Sequence, residues 1–354
     1  MKRRTFLKAV SGAVGAGAIG VAPATLGQQT RPDTGEESAA GLPRRELGRT
    51  GEKISVVGFP GLALVHYDQD ECTAGLHSAF DRGLNYFDVA PAYGRGVCET
   101  KMGIGLQGLD RSKYFLSCKT KMRDKDGARK ELETSLKSLK TDRFDLYQLH
   151  ALRHPEEVKE ALGPGGAMET ILKAKEEGKV RFIGFSAHTT KAALAAMNGF
   201  RFDTVMFPIN FVEHFLMGFG KAVTELAAEQ GAGVIAIKAM SRGAWPTDMK
   251  RTRKWWYRSV EEEDEVELAY RFTLSQKNVV TGIPPSFLDL LDKAIEATRA
   301  VQPITDTEMD QARKLAETCQ SIFRREEEQV ASGSRRTSPV WIGSPHECCP
   351  GYYA

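Results

Sequence analysis

Cysteine is scarce: six in 354 residues (Cys72, Cys98, Cys118, Cys319, Cys348 and Cys349), none in a C-x-x-C pair, which excludes a disulfide scaffold and leaves the fold to rest on its core. A metal set is equally thin, because His346-Glu347-Cys348-Cys349 has no second pair to complete a tetrahedron. The tail is therefore expected to carry two thiols, or a disulfide formed after export. Charge of one sign is missing too: 49 basic against 46 acidic residues leave +3, no field to draw in nucleic acid. After the N-terminus no long apolar run occurs, so the mature protein is expected to have no stable membrane span. With 41% hydrophobic and 27% charged residues, wholesale disorder is excluded and the bulk must fold.

The N-terminus is the exception. Met1-Lys2-Arg3-Arg4-Thr5-Phe6-Leu7-Lys8 is basic, and Ala9 to Ala24 carries no charge. The paired arginines followed by Phe-Leu-Lys resemble a twin-arginine export signal, and Ala22-Pro23-Ala24 offers small residues where a signal peptidase reads. The expectation is an exported, periplasmic or extracytoplasmic protein that meets the twin-arginine export machinery; an uncleaved amphipathic or anchoring N-terminus is the alternative. The reading divides the chain into a signal peptide (1–30), a polar linker (31–43), a barrel (44–304) and a C-terminal helix and tail (305–354).

Within the third segment, Arg45 to Ser55 reads as a hairpin. Beyond it, short apolar stretches alternate with amphipathic ones: Ile54–Phe59, Tyr86–Val89, Tyr114–Cys118, Phe144–Leu149, Val180–Phe185, Thr204–Ile209, Gly233–Ile237 and Val279–Ile283. Helix-like segments such as Asp70–Arg82, Gly127–Leu139 and Phe287–Arg299 lie between them. Apolar strands that do not alternate, each followed by a helix, predict a parallel sheet covered by helices. Eight such units favour closure into a (β/α)8 TIM barrel of the α/β class over an open doubly wound sheet, for which Gly58-Phe59-Pro60-Gly61 is a poor dinucleotide fingerprint. A single helix is expected from Asp306 to Val330.

In such a barrel the reactive groups stand at the C-terminal strand ends. Strand two runs into Asp88-Val89-Ala90-Pro91-Ala92-Tyr93-Gly94, strand three into Lys119 and strand four into His150. An acid, a phenol, an amine and an imidazole thus share one mouth. Asp88, Ala90, Tyr93 and Gly94, continued by Glu99 and Gly103 with Cys98 between, resemble the D-x-A-x-x-Y-G-x-G-x-x-E-x-x-x-G pattern of the aldo-keto reductase family. Gly178-Lys179-Val180-Arg181-Phe182-Ile183-Gly184-Phe185-Ser186 is similar to its G-K-I-R-x-I-G-V-S segment.

The resemblance implies a carbonyl–alcohol oxidoreductase for an aldehyde, ketone or sugar, using NADP or NAD. Hydride transfer to a carbonyl leaves an alkoxide that needs a proton, and an ordinary phenol is a sluggish carrier near neutrality. Tyr93 is therefore expected as acid/base, Lys119 as the charge that lowers its pKa, Asp88 as support for that charge, and His150 as the group orienting the substrate oxygen. A buried structural ion pair and a core histidine are the alternative readings of these residues.

For the cofactor, the resemblance points to Ser186, His188, Asn210, Lys238, Gly282, Ile283, Pro284 and Ser286. His188 stands where an Asn is usual, Met206 where a Gln is usual, and Ile237 where an aromatic often stacks on the nicotinamide. Pro285 and Leu291 occupy places where Lys and Arg clamp a 2′-phosphate, which leaves the preference between the two nucleotides open. The basic, aromatic stretch Ser241–Arg258 reads as a solvated helix with a buried tryptophan edge, or else as a lid. Export of a folded protein suggests a cofactor carried already bound. The competing functional reading is a nucleotide-binding barrel that serves as a binding or regulatory subunit without turnover.

Overall fold

Eight parallel strands follow one another around a sheet in chain order: β3 (Phe59–Pro60), β4 (Tyr86–Asp88), β5 (Phe115–Thr120), β6 (Phe144–Leu152), β7 (Val180–Ala187), β8 (Thr204–Pro208), β9 (Gly233–Ile237) and β10 (Val279–Ile283). They are preceded by an antiparallel hairpin, β1 (Arg44–Glu46) and β2 (Lys53–Ser55). The computed structural model describes residues 41–333. The proposed signal and the Cys348–Cys349 pair lie outside the described residues. Among the described residues no helix is long and apolar enough to cross a membrane.

The sheet closes where Gly58 donates to the Gly282 carbonyl at 3.1 Å and Gly282 donates back to Val56 at 2.9 Å. A Cβ at 58 would lie 2.4 Å from the end of the Ile283 side chain and 2.7 Å from the Tyr86 ring, so any larger residue there requires both to shift. This corrects one expected strand: Ile54–Phe59 is split, its first residues pairing in the hairpin and its last in the barrel. The other seven strands form where the apolar runs lie.

Tyr86, Phe115, Leu146, Met206, Ile235 and Val280 fill the barrel interior, and Leu47 and Ile54 from the hairpin join the same cluster. Asn85, just before β4, accepts from the Ser55 amide at 2.7 Å, and Arg49 donates to the Gly231 carbonyl at 2.9 Å, so the hairpin spans the N-terminal strand ends. One end of the barrel is thereby stoppered, and the other is left for chemistry. Leu42, which the sequence reading gives to the linker, is fully buried in the outer core.

The tail departs from expectation. Two helices, Asp306–Glu317 and Arg324–Ala331, replace one. The break is held by buried Glu213, which accepts from the Ser321 hydroxyl at 2.5 Å and from the Ile322 amide at 2.8 Å. Satisfying that carboxylate draws the chain out of helical geometry and seats Phe323 on Phe219, ring centroids 5.1 Å apart.

Candidate active site

Each reactive side chain owes its place to a local backbone device at the open end. Tyr93 leaves β4 through a turn in which Gly94, Arg95 and Gly96 are all left-handed (φ 59°, 54° and 88°) before the helix Val97–Gly105 begins. The two glycines make that turn accessible at little cost, and the phenol is aimed inward. On β6, Ala151 is left-handed (φ 56°) and the register with β7 shifts between Leu149 and Leu152. That irregularity is fixed by the Ala151 amide donating to the Ser186 hydroxyl at 2.7 Å, and Arg123 donates to the His150 carbonyl at 2.8 Å.

The four candidate catalytic residues come together. Lys119, fully buried, ion-pairs with Asp88 and donates to the Val89 carbonyl at 3.0 Å. The Tyr86 hydroxyl donates to the second Asp88 oxygen at 3.3 Å, a partner that sequence reasoning missed because its role depends on burial. The Lys119 ammonium stands 5.1 Å from the Tyr93 ring centroid. The His150 ring meets Tyr93 edge-on, centroids 5.7 Å apart. Glu99 and Gly103 stand behind this group: Glu99 is buried and accepts from the Cys118 thiol at 3.4 Å, while Gly103 backs onto Ser138, where a Cβ would come within 2.2 Å.

The electrostatics reverse one expectation. Burial, and then the negative charge of Asp88, push the Tyr93 phenol well above its ordinary value. Lys119 does not prevent this, because its charge faces the ring and is committed to Asp88 and a carbonyl. For Asp88 burial raises the carboxyl while Lys119 pulls it down, and burial prevails.

A small cavity of about 60 Å³ lies at this mouth, lined among others by Asp88, Tyr93, His150 and Met206. Of the candidate cofactor residues, Ser186, His188, Lys238, Ile283, Pro284 and Ser286 line it; Asn210 and Gly282 do not. Asn210 is instead the N-cap of the helix Phe211–Met217, its side chain accepting from the Glu213 amide at 3.0 Å. Gly282 is part of the barrel seam.

Trp255, Trp256 and Tyr257, all nearly fully buried, form a further part of the wall. No helix forms between Ser241 and Arg258, contrary to the favoured reading. The segment is a loop whose base is tied by the Arg242 amide to the Arg258 carbonyl (2.7 Å) and by the Arg258 amide to the Gly243 carbonyl (2.9 Å). Arg253 is pinned between Glu261 and Asp289, which carries the aromatic trio over the cavity. A larger groove of about 720 Å³ sits at the stoppered end, but its guanidinium groups at Arg111 and Arg181 are both tied to Asp145, a structural arrangement.

The model of the aldo/keto reductase family matches residues 59–317, the whole barrel and the start of the tail. The chain belongs to that family. It is 34% identical over 163 residues to an L-galactose dehydrogenase of Arabidopsis thaliana, a stretch that is 40% of this chain and 47% of the plant enzyme, so the match spans about half of that relative's length. With a D-threo-aldose 1-dehydrogenase of a Pseudomonas species it shares 26% over 260 residues, 64% of this chain and 75% of the other. An aldo-keto reductase from Bacillus halodurans in its holo form superposes with a TM-score of 0.64 at 22% identity, over 79% of this chain and 98% of that one, which establishes the common fold.

Proposed function

We propose that this family member is an NAD(P)-dependent oxidoreductase that interconverts a carbonyl group (aldehyde, ketone or sugar) and an alcohol. The observation that carries the reading is the convergence of a buried Asp88–Lys119 pair, a phenol held protonated and an imidazole on one small cavity. The donor set of that cavity fits a nicotinamide dinucleotide: Ser186 and His188 offer the hydroxyl and ring nitrogens that a carboxamide needs. The loop Ile283–Ser286 offers backbone and hydroxyl groups just before the helix Leu288–Thr298. When bound, that group supplies the hydride.

The chain's own residues do the rest. His150 donates to the substrate oxygen and holds it beside Tyr93. Tyr93 delivers its proton to that oxygen as negative charge develops, a direction favoured by a phenol that is protonated at rest. Asp88 keeps the buried Lys119 ammonium compensated, and the pair backs the Tyr93 ring, 5.1 Å from the ammonium, as the proton leaves. The Trp255–Tyr257 segment draws back to admit ligands, since the cavity is far smaller than a ligand site of about 300 Å³ or more. A panel of aldehydes and aldoses with NADPH, NADH and their oxidised forms tests the reading. Turnover of at least one pair supports it, and none across the panel, with nucleotide still bound, returns the chain to a binding barrel.

The twin-arginine reading belongs to the same proposal: the protein is exported folded, with nucleotide already bound. Replacing both arginines, Arg3→Lys and Arg4→Lys, should leave the protein in the cytoplasm, and mature protein purified without added nucleotide should release it on denaturation. Unchanged export or an empty protein would overturn the respective half.

A further inference from the structure

His150 stands on a β-bulge. Between the pairs Leu149–Phe185 and Leu152–Ala187, β6 sets two residues, His150 and Ala151, against one on β7, Ser186. On the other side the register with β5 runs as far as Thr120 with Leu149. The peptide that joins His150 to Ala151 thus lies outside both ladders, and its buried polar groups must find partners elsewhere. They find them in side chains: the Ala151 amide donates to the Ser186 hydroxyl at 2.7 Å, and the His150 carbonyl accepts from Arg123 at 2.8 Å. Ala151 is left-handed (φ 56°), a costly state for a residue with a side chain, so the bulge persists only while such ties hold it.

Arg123 is itself firmly held. It lies in the loop 121–124 after β5, where its carbonyl accepts from the Ala167 amide at 2.7 Å and the next residue, Asp124, caps the helix Lys125–Ser138 by accepting from the Gly127 amide at 2.7 Å. The guanidinium nitrogen that reaches His150 also donates to Glu157 at 3.2 Å. One planar NH2 group carries two hydrogens and so serves both acceptors. Glu157 accepts in addition from the Arg153 and His154 amides at 2.7 and 3.0 Å, which fixes the chain just beyond β6. Arg123 is not among the residues that line the cavity, so its link to the chemistry is the backbone of His150.

We propose that Arg123, braced by Glu157, is a positioning residue that fixes the bulge and thereby aims the His150 imidazole at Tyr93 and at the substrate oxygen. Without the guanidinium the His150 carbonyl must turn to another donor, Ala151 is released to leave the left-handed region, and the ring, edge-on to Tyr93 at 5.7 Å between centroids, loses its bearing. Hydride and proton transfer tolerate little misplacement, so the loss falls on the chemical step. Ser186 holds the other half of the same peptide, which keeps the strand in place while the imidazole drifts.

The proposal rests on the oxidoreductase reading for its effect on turnover but not for its effect on the ring, and two measurements keep these apart. In the full chain with isotope-labelled histidine and tyrosine, nuclear Overhauser contacts between the His150 and Tyr93 rings are expected in the wild type and should fade in Arg123→Met. In turnover, Arg123→Met should lower kcat by about tenfold or more while NADP affinity stays within about threefold. Arg123→Lys keeps one charged donor for the carbonyl and should recover part of the loss. The deciding comparison uses His150→Gln: in that background Arg123→Met should change kcat by less than about twofold, since no imidazole is left to aim, yet lower the melting temperature as much as it does in the wild type. Should Arg123→Met fail to fold, Arg123→Lys and Glu157→Gln carry the same comparison. An arginine that is merely structural would leave the ring contact intact in the folded variant, or lower kcat equally in both backgrounds, and either result overturns the proposal. A ring contact that depends on Arg123 in a protein that turns over no carbonyl keeps the positioning role and sinks the oxidoreductase reading.

Discussion

The Lys119 ammonium stands 5.1 Å from the centre of the Tyr93 ring while its hydrogen bonds go to Asp88 and the Val89 carbonyl. The amine therefore faces the ring and is held by the acid, and the phenol keeps its proton until a substrate oxygen arrives. Asp88 and Lys119 are best understood as one buried unit, with consequences for both stability and activity.

Removing one member of that unit strands the other. Lys119→Met should cost about 3–5 kcal/mol, because Asp88 is left charged and buried or must take up a proton. The double variant Asp88→Asn, Lys119→Met should recover most of the stability in denaturant unfolding and none of the activity. Additive losses in the double variant would show that the pair is not a unit.

Gly61 shapes the same spot from the other side. A Cβ there would lie 2.1 Å from the Asp88 carbonyl oxygen, backbone that cannot step aside cheaply. Gly61→Ala should displace the end of β4, lower the melting temperature and reduce kcat of the protein that remains folded by more than about tenfold. Wild-type kcat in this variant would detach Asp88 from the chemistry.

Nucleotide choice should be weak. Leu291 is buried in the helix Leu288–Thr298 and cannot reach a 2′-phosphate, and Pro285 has neither side-chain charge nor amide to offer. Dissociation constants for NADP and NAD should differ by less than about tenfold in a fluorescence titration. A hundredfold preference for NADP would mean that the basic loop 241–258 supplies a clamp.

Burial, and then Arg153, hold the Lys238 amine down to about 7 from its ordinary 10.5. Between those two values the unfolded chain binds a proton that the folded chain does not, so this residue makes stability rise with pH over that window. Below about 7 both states are protonated and its contribution is flat. Lys238→Met lacks the slope, and the difference in melting temperature between variant and wild type should shrink steadily from pH 7 towards pH 10. A constant difference would place the amine in solvent.

The strands were legible because parallel strands covered on both faces read as continuous apolar runs, and the candidate quartet stood out because each member lies at, or within a few residues of, the end of such a run. The cofactor residues were read from the family resemblance, which does not disclose the structural role that Asn210 also fills. It follows a strand, but an Asn with Glu213 three positions later also carries the signature of a helix cap, and the cap prevails. The break in the tail depends on Glu213, more than a hundred positions away from its partner Ser321, a distance no local pattern encodes. Composition favoured a solvated helix for 241–258; the Arg242–Arg258 backbone tie and the Arg253 pairs fold it over the cavity instead. The state of the Tyr93 proton follows from burial, which residue order does not disclose.

Single-turnover nicotinamide absorbance, comparing wild type with Tyr93→Phe on the best carbonyl substrate, tests the central claim most directly. The account predicts unchanged nucleotide binding and fold, with the hydride-transfer rate lower by a hundredfold or more in the variant. Equal rates in the two proteins would contradict it.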